Sequence, residues 1–92
     1  MYRVRASSDY KRSIKKLSRS GSFDLTEVNK VIDMLIDGKS LPLKYRNHKL
    51  IGEYTGCFEC YIRPDLLLIY QIQNKELVLV LIDIGSHSYL FN

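Results

Sequence analysis

The six residues Leu77 to Ile82, L-V-L-V-L-I, constrain this chain more than any other stretch. An unbroken aliphatic run rich in β-branched residues reads as a strand, and its lack of polar alternation demands cover on both faces. It is far short of the roughly 20 apolar residues that a membrane helix needs. The run continues through Asp83, Ile84 and Gly85 into S-H-S-Y-L-F-N, so that Leu77 to Asn92 joins core to tail. A terminal tail is ordinarily polar and frayed, whereas this one carries His87, Tyr89, Leu90 and Phe91. Those side chains either pack or act.

The segments before it supply partners for that strand. From Tyr54 to Ile84 the pattern is an antiparallel meander. Its strands are Phe58 to Arg63, Leu67 to Gln73 and Glu76 to Ile84, joined by a Pro64-containing turn, Arg63 to Leu66, and by Asn74-Lys75. At the other end, Met1 to Ala6 alternates Tyr2, Val4 and Ala6 with Arg3 and Arg5, the period of a half-buried strand. Ser7 or Ser8 then caps a helix whose apolar stripe is Tyr10, Ile14 and Leu17, and Ser20-Gly21-Ser22 ends it. A second helix starts at Asp24, with Glu27 completing a capping box and Phe23 stapled to Val28. Leu25, Val28, Val31, Ile32, Leu35 and Ile36 form its buried side, and Gly38 stops it. Ser40 to Lys49 reads as a loop, since Pro42 bars a continuing helix. The expected fold is α+β: an N-terminal strand and helical hairpin packed on an antiparallel meander, with residues 1–92 as a single domain.

Charge is unevenly spread over this framework. Residues 1–20 hold seven basic groups against Asp9 alone, or +6, while the remaining 72 residues hold seven basic and nine acidic groups, or −2. Such asymmetry points to an anionic partner such as RNA, DNA or an acidic protein, against the plain alternative of a solvated basic helix face. The N-terminus has no apolar signal segment, so the expected location is the cytoplasm, with no membrane association. Cys57 and Cys60 form a C-x-x-C, but neither a helix N-terminus nor further zinc ligands accompany them. On a strand, a spacing of three sends the two thiols to opposite faces, as buried or half-buried residues. Phosphate-cradling, metalloprotease and nucleophile-elbow motifs are all missing, and no cofactor or metal is expected.

What remains suits metal-free acid–base chemistry: His48, Tyr61, Asp65 and His87. Such groups can cleave RNA, with a base taking the ribose 2′-OH proton, cations stabilising the phosphorane, and an acid protonating the 5′-oxygen. Imidazole, with a reference pKa of about 6.5, serves either end near neutral pH, and an aromatic such as Phe91 can stack on a base. Taken singly, each has a structural explanation: a surface histidine, a turn aspartate after proline, packing tyrosines.

Their order changes the weighing. A basic helix and its partner, then N-H-K-L (47–50), then R-P-D-L-L-L-I-Y (63–70), then G-S-H-S-Y-L-F (85–91) together resemble the YafQ-like branch of the RelE/ParE toxin superfamily. The resemblance spans nearly the whole chain. It implies a ribosome-dependent endoribonuclease acting on mRNA in the A site, a small antitoxin partner, and no metal. It assigns His48, Asp65 and His87 to the catalytic site. Contacts to the message then fall to Tyr61, Phe91, Lys44, Arg46, Lys49 and Arg63, and contacts to ribosomal RNA to Lys11, Arg12, Lys15 and Lys16. Tyr61 stands where the best-known pattern has a further histidine, and Leu66 where it has tryptophan, so the identity of the base stays open. Two other functions fit the same fold: a ParE-like inhibitor of DNA gyrase, and a basic RNA- or partner-binding module without catalysis.

Overall fold

The computed structural model describes residues 1–21 and 23–91; of the expected features, Ser22 in the first helix's terminating loop and Asn92 at the tail's end lie outside them. The five strands are β1 (Arg3–Ala6), β2 (His48–Lys49), β3 (Phe58–Arg63), β4 (Leu66–Gln73) and β5 (Val78–Gly85). They form one sheet in the order β1-β5-β4-β3-β2. The expected meander is there, with β3, β4 and β5 antiparallel. The first strand joins its far edge parallel to β5, pairing Arg3 with Val78 and Ala6 with Leu81. The aliphatic run is therefore interior to the sheet, as its composition demanded. Leu77 is not part of it: it sits half-exposed with φ +54 in a four-residue turn over 74–77, where Asn74-Lys75 alone and a strand from Glu76 were expected.

Helices α1 (Ser8–Ser18) and α2 (Leu25–Ile36) cover one face. Ser7 caps α1 by accepting from the Tyr10 amide at 3.0 Å, and its own hydroxyl donates to the Ile82 carbonyl at 2.6 Å. One side chain thus starts the helix and ties it to β5. Asp24 caps α2 through the Thr26 amide at 2.9 Å. The other half of the capping box is used elsewhere, because Glu27 accepts from the buried Tyr45 hydroxyl at 3.1 Å. Leu25 is exposed, so the buried side of α2 is Val28, Val31 and Leu35. Gly38, at φ +73, ends it with amide bonds from residues 38 and 39 back to Leu35 and Met34.

Under the helices lie Cys60, Ile62, Leu66, Leu68, Tyr70, Leu79, Leu81 and Ile84. The opposite face has its own smaller core of Cys57, Leu67, Ile69 and Leu90, with Leu50, Tyr54, Tyr61 and Ile82 around it. Bulges shift the register between Tyr61 and Arg63 and between Ile69 and Tyr70. The second places Ile82 on one face and Ile84 on the other, which strict alternation forbids. Both cysteines are buried and unpaired, one in each core, as their spacing implied. Burial pushes the Cys60 thiol up to about 12 and raises Cys57 as well. Neither thiol is a poised nucleophile.

The end of the expected loop and the C-terminal tail are both regular elements. His48 and Lys49 form β2, antiparallel to β3, with His48 opposite Glu59. The tail folds into a short helix α3 (His87–Phe91) that lays Leu90 into the smaller core.

Candidate active site

His48 is placed by a loop anchored on both sides. Pro42 starts a 3₁₀ turn, Leu43–Tyr45, which buries the Tyr45 ring. Arg46 follows in the left-handed region, φ +50 and ψ +45. Asn47 accepts from the buried Tyr70 hydroxyl at 2.6 Å. Burial raises the Tyr70 phenol strongly, keeping it a neutral donor. His48 then lies with Nδ1 2.8 Å from the Arg46 carbonyl oxygen and Nε2 3.0 Å from Glu59 Oε1. Its ring is 6.4 Å from that of Tyr61, over which the Arg46 guanidinium stacks at 5.0 Å. Beside this cluster runs a groove of about 390 Å³ lined by Lys44, Arg46, Tyr61, Arg63, Pro64 and neighbours. Four of the six side chains expected to meet the message share it. Lys49 lines a separate groove with Leu50 and Cys57.

His87 is held from α3. Ser86 starts that helix by accepting from the Tyr89 amide at 3.1 Å. The Ser13 hydroxyl donates to Asp83 at 2.6 Å, so the Tyr89 hydroxyl, 2.9 Å from Ser13 Oγ, is the donor in that pair. The Lys16 ammonium lies 5.4 Å from the centre of the Tyr89 ring. The role of Gly85 differs from the turn-making one that its position suggests. Its φ is not positive; a Cβ there would fall 2.5 Å from Tyr89 Cδ2. Glycine lets the ring pack directly against the strand end. From this seat His87 is exposed, its ring 5.0 Å from Phe91, which meets Tyr54 edge-on at 5.8 Å.

Tyr61, Leu67 and Gly85 are consecutive partners across β3, β4 and β5. The backbone carrying Tyr61 is therefore two strand spacings, roughly 10 Å, from the residue that leads into α3. The His48–Tyr61 cluster and the His87–Phe91 cluster thus flank the smaller core on the sheet face away from α1 and α2. Asp65 sits on the β3–β4 turn, exposed, and lines a mostly apolar groove of about 340 Å³ with Lys16, Leu66, Ser86 and Tyr89. No hydrogen bond or ion pair joins it to either histidine among the described residues. Lys11, Arg12, Lys15 and Lys16 are all exposed along α1, with Arg12 paired to Asp9 at 2.9 Å.

Sequence reasoning passed over Glu59, Ser13, Asp83 and Tyr54. A signal existed for two of them: Glu59 in F-E-C-Y-I and Asp83 in L-I-D-I-G each interrupt an apolar strand with a charge, and buried charge needs a partner. No group of three or more His, Cys, Asp or Glu side chains among the described residues is arranged to hold a metal ion.

The chain resembles proteins whose properties bear on this site. It is 28% identical over 89 residues to the mRNA interferase toxin YafQ of Escherichia coli K12, covering 96% of this chain and 94% of that one. Among solved structures, a metal-bound toxin from Helicobacter pylori is 38% identical with a TM-score of 0.92, over 99% of this chain and 100% of the other. A chain of the E. coli DinJ–YafQ toxin–antitoxin complex is 25% identical with a TM-score of 0.88, over 99% and 98%. The family model for the bacterial toxin of type II toxin–antitoxin systems, YafQ, matches residues 2–92, and the chain belongs to that family.

Proposed function

We propose that this chain is an mRNA interferase that cuts messages on the ribosome by attack of the ribose 2′-OH on the adjacent phosphate. The observation that carries the reading is the placement of two histidine clusters, His48 with Tyr61 and His87 with Phe91, on one face of the sheet, the first of them beside a groove rimmed by Lys44, Arg46 and Arg63. The chemistry needs a proton acceptor, a proton donor and cationic cover for a dianionic phosphorane, and these residues supply all three. His48 and His87 carry the proton transfers, and Asp65 acts at the turn end of the site. Phe91, 39% exposed between Tyr54 and His87, stacks on a base of the message, since stacking on an aromatic adds about 1–3 kcal/mol per base. Acid–base work is assigned to side chains, and no step is assigned to a metal.

The exposed lysines and arginines of α1 contact ribosomal RNA in this reading, and action on ribosomes puts the protein in the cytoplasm. By likeness to the E. coli complex of YafQ with DinJ, a cognate antitoxin covers the toxin when it is idle. Residues 1–92 act as one toxin domain. The test is expression of wild type and His87→Ala with mapping of 5′ ends on translated messages. His87 is exposed, so the variant keeps the wild-type fold by circular dichroism and loses both growth arrest and transcript cutting. A variant that remains toxic overturns the proposal.

A further inference from the structure

Resting on the nuclease reading above, we infer that Glu59 is a positioning residue that holds His48 doubly protonated, making His48 a hydrogen-bond donor and cation in the reaction and not its base. Nδ1 is 2.8 Å from the Arg46 carbonyl oxygen, and a carbonyl oxygen only accepts, so Nδ1 carries a proton. Nε2 is 3.0 Å from Glu59 Oε1. A neutral ring with its proton on Nδ1 would aim the Nε2 lone pair at a carboxylate oxygen, two acceptors in contact. A second proton must lie between them.

Burial supports the same count. The Glu59 side chain is 4% exposed, and its Oε2 has no hydrogen-bond partner among the described residues. His48 is therefore the only partner found for that carboxylate, and a buried carboxylate with a single partner needs that partner charged. The second proton resides on the ring, because imidazole is the more basic partner by about two units in its reference state and is half-exposed to solvent. The other groups near the ring do not alter the count: Tyr61 on β3 presents its ring at 6.4 Å, and the Arg46 guanidinium lies on that ring.

The consequence is a division of labour. Nε2 is the anchored end, fixed by a carboxylate as an orienting acid fixes the imidazole of a catalytic dyad. Nδ1–H is the exchangeable end, held only by the carbonyl of Arg46, a non-glycine residue in the left-handed region. A phosphate oxygen that replaces that carbonyl receives a charge-assisted hydrogen bond. The base that takes the 2′-OH proton is then another group, and His87, with no hydrogen bond to its ring among the described residues, is open to it.

The test reads ring-nitrogen protonation directly, by two-bond ¹⁵N–¹H correlation spectra of the histidines in the wild-type toxin at pH 7.0, with Glu59→Gln alongside. Both His48 nitrogens give protonated-type shifts in wild type, and in the variant one becomes unprotonated at the same pH. In ribosome-bound message cleavage, Glu59→Gln lowers kcat by roughly 10- to 100-fold, the range for outer partners that orient an imidazole. KM is little changed, and the pH at which the rate falls off moves down. One unprotonated His48 nitrogen in wild type at pH 7.0 overturns the inference, whether or not the variant folds; so does a folded Glu59→Gln with wild-type kcat and pH profile. A wild-type protein that cuts no message while its His48 is doubly protonated refutes the nuclease assignment instead.

Discussion

Gly85→Ala isolates the contact that seats α3. Two opposing effects set its size. Alanine restricts the unfolded chain and, where the native backbone accepts it, stabilises by about 0.4–1 kcal/mol; Gly85 has no positive φ to forbid it. Against this, the new Cβ lands 2.5 Å from Tyr89 Cδ2, and carbon atoms pack at about 3.5–4.0 Å. The ring must retreat by roughly 1 Å. It cannot do so freely, because its hydroxyl is bonded to Ser13 and Lys16 lies over its face. Overpacking of this kind costs about 1–3 kcal/mol, so the clash wins and the net loss is of order 1–2 kcal/mol. For a domain of this size that lowers Tm by about 4–16 °C. The cycle that tests the cause is Gly85→Ala measured in wild type and in Tyr89→Ala, by thermal unfolding. Without the ring, the alanine should be neutral or stabilising by up to about 1 kcal/mol, giving a coupling energy near 2 kcal/mol. Additivity within about 0.5 kcal/mol refutes the packing account of Gly85. Because His87 rides on the same helix, Gly85→Ala should also cut activity on the order of 10²-fold, as a 1 Å misplacement does elsewhere.

Other outcomes follow from charge and burial. Lys11→Ala and Lys15→Ala should weaken RNA binding and flatten the slope of log K against log salt by about 0.7 per lysine for single strands; a slope unchanged by both removes α1 from the RNA-binding surface. The chain should also lose stability in alkali. Cys60 is raised to about 12, and Tyr70, Tyr45, Tyr54 and Tyr10 are raised, with burial the largest cause in each. Folding thus favours the protonated forms, so their stabilisation is full below the ordinary thiol and phenol values and is lost as pH rises through about 9 to 12. Urea midpoints between pH 8 and 11 should fall steadily, and less steeply in Cys60→Val. A flat profile contradicts the burial of these groups.

Much of this architecture was legible in the chain because its signals were local or periodic. The unalternating L-V-L-V-L-I placed an interior strand, R-P-D-L placed the turn that carries Asp65, and the C-x-x-C spacing, with Cys60 on β3 and Cys57 just before it, pointed to thiols in opposite cores. What stayed hidden depended on partners distant in sequence. Glu27 looks like half of a capping box until Tyr45, 18 residues on, takes its carboxylate. Leu77 looks like the start of the strand, but the turn needs it at positive φ. His48 reads as a loop residue because a two-residue strand has no periodicity to detect, and its pairing to Glu59 is a tertiary fact. The same holds for the site: the order of His48, Asp65 and His87 gave the family, while Glu59 and the Ser13–Asp83–Tyr89 chain that hold the histidines became visible only when the sheet was closed.

The central claim, cleavage by attack of the ribose 2′-OH through histidine-borne proton transfer, is tested most directly by the chemistry of the cut ends. A purified toxin acting on a message bound to ribosomes should leave a 5′-hydroxyl on the downstream fragment and a 2′,3′-cyclic phosphate, or the 3′-phosphate from its hydrolysis, on the upstream one. Fragments bearing a 5′-phosphate and a 3′-hydroxyl contradict the account, since attack by the 2′-oxygen cannot produce them.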